Sequence, residues 1–249
     1  MTQNIYDNDT FFKQYEQLRS RKYNYNTLLE QPNFLALLPT LAQKTILDIG
    51  CGAGGFAAHC VTQGAKHVTA IDISANMIAA AKKSYAHEAI QFKQLAFEHM
   101  DVQEAAFDIV TSSLVFHYIA DFQQLIGKIS TSLREHGTLV FSMEHPIVTA
   151  NKQMDSWIFD EHGNRLHYAL NHYHEEDLRT QNWLVDNVQM YHRTMSTIIN
   201  TLIENGLHIE RIVEPMPTEA AIRLYPSIEK ELRRPSFLLV RAKKASLSQ

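Results

Sequence analysis

Residues 45–56, Thr-Ile-Leu-Asp-Ile-Gly-Cys-Gly-Ala-Gly-Gly-Phe, run from an apolar strand pattern straight into a glycine-rich turn. Ile46, Leu47 and Ile49 suit a strand covered on both faces of a parallel sheet. Gly50, Gly52, Gly54 and Gly55 let the backbone turn tightly and approach a ligand where a Cβ would clash. The helix expected next offers free N–H groups at its start. One βα unit later the apolar run Val68–Ile71 ends in Asp72. Its carboxylate reaches the same sheet edge and can accept two ribose hydroxyl hydrogen bonds. The pattern predicts an α/β chain built around an adenosine-containing ligand.

The glycines alone leave that ligand ambiguous. Gly50, Gly52 and Gly55 satisfy a dinucleotide fingerprint, with Asp72 at the position of a ribose-binding acid. Asp48 discriminates. A pyrophosphate over this turn would meet a nearby carboxylate, which is unfavourable, whereas an ammonium and a sulfonium would be attracted by it. The segment therefore favours S-adenosylmethionine over a nicotinamide dinucleotide.

Leu47-Asp-Ile-Gly-Cys-Gly-Ala-Gly-Gly55 resembles motif I of the class I S-adenosylmethionine-dependent methyltransferases, and Ala70-Ile-Asp-Ile-Ser74 resembles their acid-bearing second motif. Phe107–Ser113 and Gly137–Ser142 are similar to the family's fourth and fifth strands. The resemblance is good over residues 40–145 and loose elsewhere; the later segments look like a bacterial subgroup acting on small molecules. It implies a Rossmann-like fold: a seven-stranded, mostly parallel sheet with one antiparallel strand and helices on both faces. It places the cofactor on Asp48, Gly50, Cys51, Gly52, Gly54, Asp72, Ile73, Met77, Ser113 and Leu114. One departure stands out. The acid that often binds the adenine amino group is replaced by Ala96, leaving Phe97 and Glu98 to serve that end.

Coarse periodicity divides the chain into an N-terminal helical cap (1–40), a cofactor-binding core (41–144), an insertion (145–190) and a C-terminal helix with the last strands (191–249). Strands are predicted at 45–49, 67–72, 90–95, 107–113, 138–143, 207–214 and 236–242. Helices are predicted at 54–63, 75–86, 98–104, 121–135, 191–205 and 218–232, with one or two in 9–29 and a short one from Pro32. Ser74 and Asp121 are the expected N-caps. Trp157–Phe159 and Arg165–Tyr168 flank a hairpin turn with Gly163 in the left-handed region.

With 249 residues and a net charge of −4, the composition argues against a nucleic-acid binder. No Asn-Pro-Pro-Tyr type of motif follows the fourth strand. The two cysteines, Cys51 and Cys60, suit a reducing compartment. No signal-peptide pattern or long apolar run is present. The expectation is a cytoplasmic protein that binds neither membrane nor nucleic acid, with a small-molecule acceptor.

Methyl transfer from a sulfonium is an in-line displacement, so a base is needed only for an acceptor that enters protonated. The strand-end rule selects Ser112, Ser113, Leu114 and His117 after strand four, and Glu144, His145 and Pro146 after strand five. His117 and His145 are the candidate bases, each set against the alternative of a buried histidine bonded to backbone. Tyr15, Arg19, Tyr23 and Tyr25 form a candidate lid, with Arg19 available to the cofactor carboxylate; packing of an amphipathic helix is the other reading. Tyr191-His192-Arg193 opens a helix that faces either the acceptor or solvent. His172 and His174 have no second ligand pair at zinc spacing, so a polar loop is expected and no metal. The alternatives to an enzyme on small molecules are a non-catalytic S-adenosylmethionine-binding regulator, a protein or RNA methyltransferase, and a nicotinamide-dependent dehydrogenase.

Overall fold

The computed structural model describes residues 3–152 and 156–246. Its main sheet contains β1 (Thr45–Ile49), β2 (His67–Asp72), β3 (Ile90–Gln94), β4 (Phe107–Ser113), β5 (Leu133–Glu144), β10 (Leu207–Val213) and β11 (Phe237–Lys244). The order is β10-β11-β5-β4-β1-β2-β3. Neighbours from β5 to β3 pair in parallel, and β11 alone runs antiparallel, to both β5 and β10. This is the seven-stranded sheet expected from the family resemblance.

Helices cover both faces because successive strand residues point to opposite sides. Ile46 of β1 packs with Ala57 and Cys60 of α3 (Gly55–Thr62) and with Ile78 and Ala81 of α4 (Ala75–Ser84). Leu47 and Ile49 instead join Leu125 and Ile129 of α5 (Phe122–Ser132) and Ile198 and Leu202 of α7 (Met195–Glu204). A third cluster seats α2 (Gln31–Leu37), through Phe34 and Leu37, against Val140 and Leu239. Ser74 and Asp121 cap α4 and α5 as expected, accepting from the N–H groups of Met77 and Gln124.

Several boundaries differ from the sequence reading. α5 stops at Ser132, and β5 begins already at Leu133, so 133–137 extend the strand rather than the helix. The helix expected at 98–104 is one 3-10 turn, Phe97–His99. Residues 218–232 split into α8 (Glu219–Leu224) and a 3-10 segment, Pro226–Leu232, because Pro226 lacks the N–H a continuing helix needs. At the N-terminus α1 (Asp9–Ser20) is followed by a π-helical turn, Asn26–Glu30, that leads into α2.

Within 145–190 the expected hairpin is present as β6 (Trp157–Phe159) and β7 (Arg165–Tyr168), with Gly163 at φ +80°. After α6 (Pro146–Ala150) and this hairpin comes a second one absent from the sequence reading, β8 (Leu178–Trp183) with β9 (Val185–Tyr191). Tyr191 therefore ends a strand, and α7 starts only at Met195 under a Thr194 cap. His192 and Arg193 are buried in the join, in contrast to the expected helix start.

Candidate functional site

A cavity of about 750 Å³ opens over the carboxyl ends of β1, β2, β4 and β5. That is where ligands bind on such sheets, and the volume suits a small-molecule site. Its floor is the glycine turn. Gly50 (φ +73°) and Cys51 both donate to the Ile71 carbonyl, at 2.8 and 2.9 Å. A Cβ on Gly50 would lie 2.2 Å from Val115 Cγ2. Gly54, although at φ +83°, is not on the wall; a Cβ there would meet Phe92 and Ala81, so it serves helix packing.

Two acids stand at this floor. Asp72 accepts from Gly52 N–H and Ser74 N–H, both at 2.9 Å, which orients its carboxylate along the turn. Asp48 is 3% exposed; its Oδ1 accepts from the Thr111 hydroxyl at 3.0 Å, while its Oδ2 is buried without a hydrogen-bond partner among the described residues. Burial pushes its carboxyl up to about 7, helped by the like charge of Asp72 and opposed by the Thr111 bond. An orphaned buried carboxylate oxygen calls for a cationic or N–H-bearing ligand.

The wall also carries Ile73, Met77, Ala96, Phe97, Glu98, Ser113 and Leu114. Leu114 is held at φ +56°, its N–H donating to the Ser142 carbonyl (3.0 Å) and hydroxyl (3.1 Å). For a side chain of this size that conformation is strained, and such strain concentrates at ligand sites. Glu30, which sequence reasoning missed, is 2% exposed and accepts from Ser113 Oγ (2.9 Å) and Ser142 Oγ (2.6 Å). Nothing local marks it, because only the docking of the N-terminal layer brings it to the ends of β4 and β5.

The roof joins the N-terminal segment to the insertion. Tyr15 and Arg19 of α1 line the cavity, as do Tyr6 and Trp183 from the end of β8. Tyr6, Phe11, Tyr15 and Trp183 form one aromatic cluster with ring centroids 4.9–6.2 Å apart. Tyr25 lines the far side, whereas Tyr23 does not reach the wall.

The candidate histidines separate. His117 lines the cavity, and its Nδ1 accepts from Glu144 N–H at 3.3 Å, which leaves the proton on Nε2. Burial, with the nearby Arg193 charge, holds it down at about 3, so it is a neutral donor rather than a proton acceptor near pH 7. His145 is not on the wall. Its Nδ1 caps α6 by accepting from Ile147 N–H (3.1 Å), and Nε2 lies 2.8 Å from Glu214. Glu144, passed over as a base, is on the wall; its Oε2 is enclosed and has no partner among the described residues. Its position at the end of strand five was the available signal.

The remaining candidates lie elsewhere. His192 bridges the Thr149 hydroxyl and the Tyr173 carbonyl, at 2.8 Å each. Arg193 donates to the carbonyls of Phe116, Ile119 and Ala120 and lies over the Phe122 ring. His172 pairs with Glu175 at 2.6 Å. Among the described residues no group of His, Cys, Asp and Glu converges as a metal site, and no helix is long and apolar enough to cross a membrane.

Comparison with known proteins adds a consistent set of likenesses. Residues 47–141 match a family model described as a methyltransferase domain. The chain is 37% identical over 247 residues to an uncharacterized protein of Haemophilus influenzae, covering 96% of each. A candidate S-adenosylmethionine-dependent methyltransferase from Listeria monocytogenes has a similar structure, with TM-score 0.82 and 38% identity over 87% of this chain and 97% of that one. A second, from Mesorhizobium loti, gives 0.81 and 35% over 86% and 97%.

Proposed function

Because this chain belongs to the S-adenosylmethionine-dependent methyltransferases, we propose that its acceptor is a small molecule held inside the cavity, beside the cofactor. The observation that carries this reading is the roof. Tyr15, Arg19 and Trp183 close over the same space that Asp48, Gly50 and Asp72 floor. A chamber walled on both sides admits a small acceptor far more readily than a segment of folded RNA or protein.

S-adenosylmethionine, when bound, supplies an electrophilic methyl group on sulfur, so the protein's part is chiefly alignment and exclusion of water. The residues present suit it. Asp48 Oδ2 would take the ammonium, Asp72 the ribose hydroxyls, and Ala96, Phe97 and Glu98 would border the base. Arg19, exposed at the rim, stands available for the carboxylate. Glu30 fixes the Ser113 and Ser142 hydroxyls and so the strained Leu114 backbone. His117, its Nδ1 occupied by the Glu144 N–H, keeps its proton on Nε2.

Calorimetric titration tests the cofactor half: S-adenosylhomocysteine is expected to bind, with affinity collapsing in Asp72→Ala. For the acceptor, the protein is incubated with methyl-labelled S-adenosylmethionine and a cell extract separated into low-molecular-weight and macromolecular fractions. Label is expected in the first; label confined to RNA or protein would overturn the small-molecule reading.

A further inference from the structure

We propose that Glu144 is the group that receives the acceptor, accepting a hydrogen bond from, and then the proton of, an aromatic acceptor bearing a hydroxyl or amino group. This rests on the methyltransferase reading above. The geometry is that of a receiving group. β5 pairs with β4 so that Ser142 stands opposite Ser113, which puts Glu144 just beyond the strand-end residues of the cofactor side. Its N–H is committed to His117 Nδ1, and its strand partner across β11 is Phe237. The side chain reaches the cavity wall with Oε2 shut off from solvent and unpaired among the described residues. A buried polar atom in that state is satisfied by a ligand that brings a donor.

The surroundings define the rest of the ligand. Tyr6, Tyr118, Trp183, Tyr225 and Phe237 share the wall, a surface suited to a flat ring. The titratable and charged groups around the carboxyl are Arg234, from the turn before β11, and Tyr118 and His117, from the turn after β4. Burial pushes the Glu144 carboxyl up to about 7 against the attraction of Arg234. Such a carboxyl is ionised enough to accept a proton and basic enough to keep it near neutral pH. In the transfer, the acceptor oxygen or nitrogen forms the bond to the methyl carbon. The carbon–sulfur bond breaks with its electron pair left on sulfur, and the acceptor's proton passes to Glu144 Oε2.

The test uses the full chain saturated with S-adenosylhomocysteine, titrated with 2-naphthol, 1-naphthylamine and 2-naphthoate. Both donor-bearing probes are expected to bind and 2-naphthoate to be excluded at pH 8, where its charge would meet the Glu144 carboxylate. Wild-type affinity for 2-naphthol is expected to rise about tenfold from pH 6 to pH 8 as the carboxyl ionises. In Glu144→Gln that affinity is expected to fall about tenfold at pH 8 and lose its pH dependence, with S-adenosylhomocysteine binding reporting a folded protein. Equal binding of 2-naphthol and 2-naphthoate, a flat wild-type pH profile, or no binding of either donor probe to the loaded protein overturns the proposal alone. Failure to bind S-adenosylhomocysteine overturns both it and the reading beneath it.

Discussion

Two acids, Asp48 and Glu144, are pushed to about 7 by the same cause, removal of their carboxylates from water; the ligands proposed for them differ. The sign of the effect on folding follows from linkage. A carboxyl raised from its usual value near 4 takes up protons on folding between about pH 4 and 7, so the unliganded protein loses stability as pH rises through that window. Cofactor binding should show the opposite slope. An ammonium beside Asp48 favours the ionised carboxyl, so binding releases a proton below pH 7. Affinity for S-adenosylhomocysteine is expected to rise about tenfold from pH 6 to a plateau above pH 7, and to lose that slope in Asp48→Asn; titration calorimetry in two buffers reads both. Gly50→Ala is a steric test at the same scale. With φ +73° and Val115 Cγ2 2.2 Å from the new Cβ, it is expected to cost about 1–3 kcal/mol, measured by urea unfolding. Asp48, Asp72 and the glycine turn were legible because a strand end and a turn are local events. Glu30 was not, since its partners Ser113 and Ser142 lie far along the chain. His117 and His145 were legible as positions only: what each ring nitrogen bonds is decided by packing.

Arg193 shows how one side chain organises an element it does not belong to. Its guanidinium, buried between β9 and α7, donates to three carbonyls of the turn that carries His117 and Tyr118, and burial holds it down at about 10. A planar fork meets three carbonyls in a way an ammonium cannot. Arg193→Lys is therefore expected to destabilise the fold by about 2–4 kcal/mol and to weaken protection of residues 116–120 in amide exchange. Unchanged protection there would rule out the clamp. From sequence, His192 and Arg193 looked like a helix opening because the helix was read from Tyr191, one period before Met195, and nothing local marks the Thr194 cap as its start. The β8–β9 hairpin went unseen because its residues mix Gln, Asn and Asp into the alternation. Strand β5 was cut short at its start for a similar reason: Arg134, Glu135 and His136 are exposed and carry no apolar signal.

Across the whole molecule the site is assembled from segments far apart in sequence, joined at the aromatic cluster of Tyr6, Phe11, Tyr15 and Trp183. Removing the ring that links α1 to the β8–β9 hairpin should loosen the roof while sparing the floor. Trp183→Ala is expected to speed release of S-adenosylhomocysteine by about tenfold or more, with stopped-flow displacement as the measurement. The parallel sheet with helices on both faces was readable in advance from the βα alternation, and its one antiparallel strand only from the family resemblance. The strand order was not, nor was the roof, because aromatic residues in a polar insertion do not announce their partners. The placement of β11 between β5 and β10 bears on how the chain is made. During synthesis the glycine turn, Asp48 and Asp72 emerge early, but the edge of β5, with Val140 and Phe141 fully buried in the finished fold, stays unpaired until residues 237–244 follow. A nascent chain halted in the insertion would thus present the cofactor motifs together with a bare apolar strand edge, a template for aggregation. Emergence of residues 237–244, rather than appearance of those motifs, is the event that commits the chain to its fold.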